Sequence, residues 1–422
     1  MRDGCSLRDG RHRPLAGSYN GWADSAMHDI RFHAAITELP AAEWDALCAD
    51  ANPFVSHAFL AALERGGCIR PDWGWQAHHL SLHENGRLLA AAPLYLKGNS
   101  HGEFVFDWSW ASAWERAGGE YYPKLLCGVP YSPVPGPRLL AGHDERTPML
   151  QRALVEAMRS ETDRMGLSSV HVNFLQETEL AAFGQGHSNP HWLARSDVQF
   201  HWHNHGYRHF PAFLATLNHK KRKNILRERS QVAASGVAIE WRSGDTLSSD
   251  EWRQVHALYE TTFDMKGNHA ALTAAFFRQL GELGGTAQLA LARKDETIVA
   301  MALFIQSDKV LYGRYWGASV DLPGLHFELC YYRGIEHAIA HQLTRFEPGA
   351  QGEHKLARGF LPVRTHSRHY LANPDFRAAV AASLASEAQA VDAYVDELQS
   401  HSPYANQGRT EHSHADHSRT GP

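Results

Sequence analysis

The chain has 422 residues, 43% of them hydrophobic and 21% charged, with a formal net charge of -5. That length accommodates two or three domains with cores of their own, and no apolar run approaches the roughly 20 residues that a membrane helix needs. The charge balance excludes a globally basic nucleic-acid coat while leaving room for a local basic surface.

Five scattered cysteines (Cys5, Cys48, Cys68, Cys127 and Cys330) show no C-x-x-C spacing. They argue against a disulfide framework or a zinc ribbon and fit a reducing, cytoplasmic setting. Residues 1–28 are polar, carry Arg8, Arg11 and Arg13, and lack the apolar h-region of a secretory signal, so they are expected to be disordered.

In chain order, residues 30–36 predict a strand, and residues 41–48 and 57–65 predict two helices, the second entered from Asn52-Pro53. Strands at 78–83 and 87–97 flank Glu84-Asn85-Gly86, whose Asn-Gly pair supplies the positive φ angles of a tight hairpin. The aromatic segment FVFDWSWASAWERAGGEYYPKLL and the proline-rich VPYSPVPGPRLL read as irregular. A helix over 148–164 and strands over 169–175 and 198–203 complete the first half.

The second half opens with a long helix over 213–234 and a strand over 237–242. A helix over 249–263 follows, capped by Ser248 or Ser249 with Asp250 and Glu251 in its first turn. Next come a short helix at 273–283, strands at 287–293, 298–306 and 310–316, a helix at 327–341 and a strand at 343–347. Asn373-Pro374 begins a helix that runs to 398. From His401 the sequence is polar, His-rich and aperiodic, which predicts a disordered tail; His412, His414 and His417 there offer a possible metal site of a kind seldom defined in such tracts.

The second half, from 237, therefore reads β-α-α-β-β-β-α-β and the first half is read as a copy of it, with a hairpin before its main helix, an order at odds with a doubly wound dinucleotide fold. Neither G-x-G-x-x-G nor G-x-x-x-x-G-K-[ST] occurs.

The stretch FEPGAQGEHKLARGF (residues 346–360) sets Glu347, Gln351, Glu353, His354, Lys355 and Arg358 among three glycines. Such a loop loses backbone entropy on ordering and builds no core, a pattern that suits ligand binding better than folding, with a solvated surface loop as the alternative. Lys220, Lys221, Arg222, Lys223, Arg227 and Arg229 crowd one predicted helix. Lys220, Lys223 and Arg227 share a face suited to phosphates or simply to solvent.

In the first half, Asp107, Trp108, Trp110, Tyr121, Tyr122, Lys124, Tyr131 and Arg138 form an aromatic-polar series. Its rings suit sugars and its cations suit phosphate or carboxylate, while an aromatic core under a long loop is the alternative. In QFHWHNHGY a strand would put His201, His203 and His205 on one face, either as zinc ligands or as a hydrogen-bonding wall of a cleft, the wall being the reading adopted and the metal set taken as none. Tyr312, Arg314 and Tyr315 follow one another along a strand. Glu328, Tyr331, Tyr332 and Glu336 share a helix face, which is read as the border of a donor site or as structural ion pairing.

Several stretches resemble a known family: NPFVSHAFLAALE, FVFDWSWASAWERAG, YYPKLL, KKRKNILRER, LYGRYWG and GAQGEHKLARGF. They look like an uncharacterised bacterial branch of the Fem family, peptidyltransferases built as tandem GNAT folds that add amino acids from aminoacyl-tRNA to peptidoglycan precursors. The resemblance spans residues 30–384. It implies an α/β fold of two tandem GNAT-like acyltransferase domains, each a mixed, mostly antiparallel sheet flanked by helices. The expected division is a 29–208 acceptor-side domain and a 209–400 donor-side domain, with a 401–422 tail.

It further implies that Lys355, in K-x-x-x-G-F, stabilises the oxyanion of aminoacyl transfer, although the family's own motif is closer to K-x-x-F-G. His354 or Glu353 is then the base toward the attacking amine. Read as a strand, the stretch lets at most one of those two share the cavity of Lys355. Asp107, Trp110, Tyr121, Lys124, Arg138, His201 and His203 would line the acceptor side. Tyr312, Arg314, Tyr315, Glu328, Tyr332, Gln351 and Arg358 would line the donor side, and Lys220, Lys221, Lys223 and Arg227 would meet tRNA or a diphosphate.

The R-x-x-G-x-[GA] signature of acyl-CoA users is absent from GASVDLPGLHFELC, as it is from the Fem family. The expectation is thus an amide-forming aminoacyl or acyl transferase without a bound cofactor. It would meet its precursor in the cytoplasm, in transient contact with a membrane surface where that precursor is lipid-linked. An N-acyltransferase using acyl-CoA or an acyl carrier protein, and a non-catalytic module recognising cell-wall peptide, are the rival readings.

Overall fold

A computed structural model describes residues 28–405, apart from 49, 185–190, 265, 266, 268 and 351. Its strands are β1 (Asp29–His33), β2 (Trp75–Ala77), β3 (His79–Glu84), β4 (Arg87–Ala92), β5 (Leu94–Lys97), β6 (Lys124–Cys127) and β7 (Ser169–Leu175). They continue with β8 (Trp192–His203), β9 (Ala238–Ser243), β10 (Ala287–Lys294), β11 (Thr297–Gln306), β12 (Val310–Ala318), β13 (Arg345–Glu347) and β14 (Leu361–Leu371).

The expected hairpin forms between β3 and β4, with Asn85 and Gly86 at φ 52° and 80°. Pro93, lacking an N–H, separates β4 from β5, and the chain bends there into a second sheet. The sheets are β1-β3-β4 and an eleven-stranded β2-β5-β6-β7-β14-β8-β13-β12-β11-β10-β9. In each half one parallel pair, β6 with β7 and β12 with β13, ends an antiparallel meander. Helix Thr147–Arg164 connects the first pair. The turns Leu325–Phe327, Glu328–Tyr332 and Arg333–Ala340 connect the second, the middle one wound as a π-helix.

The halves exchange their last strands. β14, at the end of the second half, lies between β7 and β8 of the first, and β8 in turn pairs with β13 of the second. One hydrophobic core also runs across both: helix His57–Arg65 buries Phe59, Leu60 and Leu63 against helix Ala274–Gly281, with the Phe59 and Phe276 rings 5.8 Å apart. Each such side chain contributes about 1.5–3 kcal/mol on leaving water. Any change that separates the halves therefore exposes a shared core.

Four expectations need correction. The helix expected over 213–234 is two, Phe210–Thr216 and His219–Ala233, because Leu217 and Asn218 are extended and the Asn218 side chain accepts from Lys221 N at 3.0 Å. The aromatic segment expected to be irregular contains helix Trp108–Arg116 and the start of β6, and β2, β6 and β14 are strands beyond those expected. The tail is anchored through residue 405: Tyr404 donates its hydroxyl to Gly359 O at 2.7 Å, and Asn218 N donates to Pro403 O. His412, His414 and His417 lie outside the described residues.

Candidate functional site

Residues 353–358 wind as a 3-10 turn rather than a strand, so the alternation expected there does not hold. Gly359 closes the turn at φ 95°, a conformation that favours glycine. The turn aims Lys355 inward. Its Nζ donates to Gly349 O at 2.7 Å, and the residue is 2% exposed. Burial pushes the ammonium down to about 7, with Cys330 of the π-helical turn opposing and Arg314 reinforcing the fall. Among the described residues no carboxylate pairs with it.

Around this lysine the two halves meet. Gln199 and His201 arrive on β8, Arg345 and Glu347 on β13, and Arg314 on β12. Leu303 pairs with Tyr315 and Phe304 with Gly313, which makes Arg314 the extra residue of a β-bulge. A bulge re-aims a side chain that would otherwise follow the sheet's alternation. Arg314 Nη2 donates to Tyr131 O at 2.8 Å, and Tyr315 donates its hydroxyl to the same carbonyl at 2.9 Å. Close approach is allowed because position 313 is glycine; a Cβ there would stand 3.2 Å from Pro348 Cα.

Glu347 is buried, with Oε1 accepting from Arg345 Nε at 2.7 Å, and burial raises its carboxyl to about 7 against the pull of Arg345. His201 Nε2 lies 3.8 Å from Glu347 Oε2, and burial, with Arg345 and Lys355 nearby, lowers that imidazole well below its ordinary value. Lys355 and Glu347 each lie close enough to Arg314 to feel its charge.

A family model described as FemAB-like, peptidoglycan biosynthesis/recognition, matches residues 35–406. The chain belongs to the FemAB-like family. The comparison with curated proteins finds no match. Among solved structures, FemX is similar at 11% identity and a TM-score of 0.48, covering 81% of this chain and 98% of its own. The C-terminal domain of a putative lysylphosphatidylglycerol synthetase from Agrobacterium fabrum is similar at 13% identity and 0.46, covering 77% and 89%. A tandem GNAT protein from the clavulanic acid biosynthesis pathway is similar at 13% identity and 0.43, covering 82% and 99%. Each half of the chain carries the meander, crossover helix and parallel pair described above.

In this FemAB-like chain the other expected site residues fall into separate places. Glu353 and His354 lie on the exposed side of the turn, away from Lys355. Glu353 accepts from the Tyr394 hydroxyl at 2.7 Å, and His354 Nε2 is 2.9 Å from the Tyr331 hydroxyl. Neither is positioned as a base beside the lysine, because three residues per turn send them elsewhere. Gln351 lies outside the described residues.

Arg358 is bound by both Glu228 oxygens at 3.0 Å and stacks 3.4 Å from the Phe327 ring centroid; Tyr332 also donates to Glu228. Glu328 takes two bonds from Arg229, at 2.9 and 3.0 Å, and lies 3.1 Å from Arg333. The face assigned to a donor border is therefore an ion-pair network fastening helix His219–Ala233 to the π-helical turn. Tyr312 is buried with its ring edge-on to Phe54.

Lys220, Lys223 and Arg227 are exposed, Lys221 half-buried, and these four make no ion pair among the described residues.

On the first half, Lys124 is fully buried among Asp107 Oδ2 (2.5 Å), Glu103 Oε2 (2.8 Å) and Ser100 Oγ (2.9 Å), and Tyr121 donates to Asp107 at 2.6 Å. Burial works against both charges, but pairing prevails: Glu103 and then Asp107 raise the Lys124 ammonium, and Lys124 holds the Asp107 carboxyl low. Trp110 is buried edge-on to His369, whose Nδ1 is 2.7 Å from His171 Nδ1. Arg138 is fully enclosed by the carbonyls of Val134, Pro137 and Asn173, so its charge faces backbone and not a phosphate. β8 ends at His203, which is exposed, and His205 lies beyond the strand, so the three histidines do not share one strand face. Among the described residues no group of three metal-ligating side chains assembles.

Glu347 and Arg345 receive no role from the sequence. The signal is present in the acidic residue that opens the glycine-rich stretch, but its burial and its pairing across β12, β13 and β8 are tertiary.

Proposed function

We propose that the chain transfers an acyl group, an aminoacyl group from tRNA in the favoured form, to an amine of a cell-wall precursor, with the junction around Lys355 as its reaction centre. The observation that carries this reading is an inward lysine whose one bonded partner among the described residues is a backbone carbonyl, at the meeting point of both halves of a FemAB-like chain.

In the proposed step the acceptor nitrogen, as a free amine, attacks the ester carbonyl of the donor. A C–N bond forms, the carbonyl electrons move to oxygen, and the Lys355 ammonium faces that oxyanion. Collapse breaks the C–O bond; the acceptor nitrogen gives up one proton, the departing donor oxygen takes up one to leave as a hydroxyl, and the amide keeps its remaining N–H. A developing negative charge favours the protonated lysine, so the low value of the free site becomes an advantage in the transition state: the cation is held without a permanent counter-ion. Glu347, also near neutrality, takes the proton lost by the acceptor in this scheme. The exposed cations Lys220, Lys223 and Arg227 supply a phosphate-binding face for the donor.

The test is a transfer assay read by mass spectrometry, offering charged tRNA or acyl-CoA with a cell-wall precursor peptide. Lys355→Ala is expected to reduce transfer on the order of 10²–10³-fold, as loss of an oxyanion donor does, with the thermal melt intact. Unchanged transfer in this variant rejects the mechanism. Peptide binding without transfer from either donor points instead to a recognition module.

A further inference from the structure

Two polar atoms at the junction are buried and have no hydrogen-bond partner among the described residues: Glu347 Oε2 and Arg314 Nε. Both belong to charged side chains, one an acceptor and one a donor. In folded proteins such atoms are uncommon, because leaving either unpaired away from water forfeits a charge-assisted bond. Glu347 is only 3% exposed. Its neighbour His201, at 3.8 Å, is beyond bonding distance, and the lysine nearby bonds Gly349 O instead. Parallel pairing sets Tyr312 of β12 opposite Glu347 of β13, which places Arg314 two residues beyond it on the adjoining strand.

We infer that this junction recognises an acceptor bearing an ammonium and a carboxylate on the same carbon, the free end of an α-amino acid, with Glu347 receiving the ammonium and Arg314 the carboxylate. The inference rests on the transfer reading above only in taking the Lys355 junction as the acceptor's destination.

A lone ammonium would satisfy Glu347 Oε2 and leave Arg314 Nε unpaired; a lone carboxylate would do the reverse. A single amphoteric group answers both. The geometry of the guanidinium agrees. Its Nε and Nη2 form one edge suited to a bidentate carboxylate, and that edge now has Nη2 on the neutral Tyr131 carbonyl and Nε on nothing. Tyr131 holds φ at 56°, a sparsely populated conformation for a residue with a side chain. A carboxylate arriving on this edge exchanges a neutral acceptor for a charged one and supplies the missing second bond.

The experiment is calorimetric titration of the full chain with two short peptides and no acyl donor. One carries a 2,6-diaminodicarboxylic acid as its third residue, and the other carries lysine there, so the two differ by a single carboxylate. The first is expected to bind on the order of tenfold to a hundredfold more tightly, the range of one charge-assisted pair. Arg314→Gln should bring the two affinities together by weakening the first peptide alone, and Arg314→Lys provides the same reading with the charge retained but the fork removed. Glu347→Gln, which keeps the buried volume, should weaken both peptides by a similar factor.

Equal affinities in the wild type, no binding of either peptide at millimolar concentration, or a preference that survives in both Arg314 variants overturns the assignment. Transfer by Lys355→Met separates it from the reaction proposed above. A preference accompanied by unchanged transfer removes the mechanism and leaves the recognition standing. Lost transfer with no preference does the opposite.

Discussion

Lys124 and Lys355 are both buried, one in the first half and one at the junction, and they are held in opposite ways. Lys124 sits among two carboxylates and a hydroxyl within 2.9 Å, and its proton is more tightly held than in water. Lys355 has one carbonyl, and burial brings its ammonium down to about 7. The first is an internal cross-link that has already used its charge. The second has no counter-charge bonded to it among the described residues. Near neighbours repeat the contrast: the Asp107 oxygens are bonded by Lys124, Tyr121 and Ser100, whereas one oxygen of Glu347 has no bond among the described residues.

The largest expected effect breaks the comparison at its structural end. Lys124→Met leaves Asp107 buried without its bonded cation, and Glu103 with only Lys97 at 3.9 Å, and should cost about 3–5 kcal/mol in urea unfolding, as removal of one member of a buried pair does. Lys355→Met, with no ionic partner to strand, should be as stable as the wild type or more so. Equal losses in the two variants would mean that the difference in pairing has no energetic consequence.

This contrast is only half visible in the sequence. Local periodicity and turn chemistry reveal the hairpin at Asn85-Gly86, strand β7 to the residue and the helix that begins at Pro374. Strand β14 escapes because LPVRTHSRHYL is polar enough to resemble a loop; it becomes a strand because β7 and β8 supply partners on both edges. The inward aim of Lys355 is expected, but its route is not: a 3-10 turn, and not an alternating strand, points it in and sends Glu353 and His354 out. Lys124 and Arg138 look like ligand-binding cations because a sequence records charge but not whether a carboxylate or a ring of carbonyls encloses it.

The next effect sharpens the comparison through pH. Lys355 has a folded value of about 7 against an ordinary 10.5. Between these limits the unfolded chain carries a proton that the folded chain has released, so this residue makes stability rise with pH across that window. Lys124 has the opposite sign: its raised value gives stability that is complete below the ordinary 10.5 and is lost only as pH climbs through the folded value. Glu347, raised from 4.5 to about 7, is protonated more readily when folded, so its contribution falls as pH rises through that interval. Denaturant titrations of wild type and Lys355→Met from pH 7 to 10 should therefore converge as pH increases. In the same range the ratio of wild-type to Lys355→Met kcat/KM should decline, since the oxyanion role needs the protonated lysine while the acceptor amine titrates alike in both. A ratio that climbs above pH 7 would assign Lys355 as a base instead.

The smallest effect on stability tests the remaining cations, which resemble neither lysine. Lys220, Lys223 and Arg227 are exposed, and the same helix is fastened underneath by Glu228 with Arg358 and by Arg229 with Glu328 and Glu336. The helix therefore divides its charge: residues facing the π-helical turn hold it in place, and those facing outward are unpaired among the described residues. Changing the three outward cations to glutamate should alter unfolding free energy by no more than about 0.5 kcal/mol, the usual range for surface positions. If phosphates bind there, the slope of log affinity for tRNA against log salt should flatten by on the order of 0.7–0.9 for each phosphate that is no longer neutralised. An unchanged slope would reduce this face to a solvated one and move the donor's phosphates elsewhere. The inward pairs would still be needed, because their work is to hold the π-helical turn, and with it Cys330, against the Lys355 side of the junction.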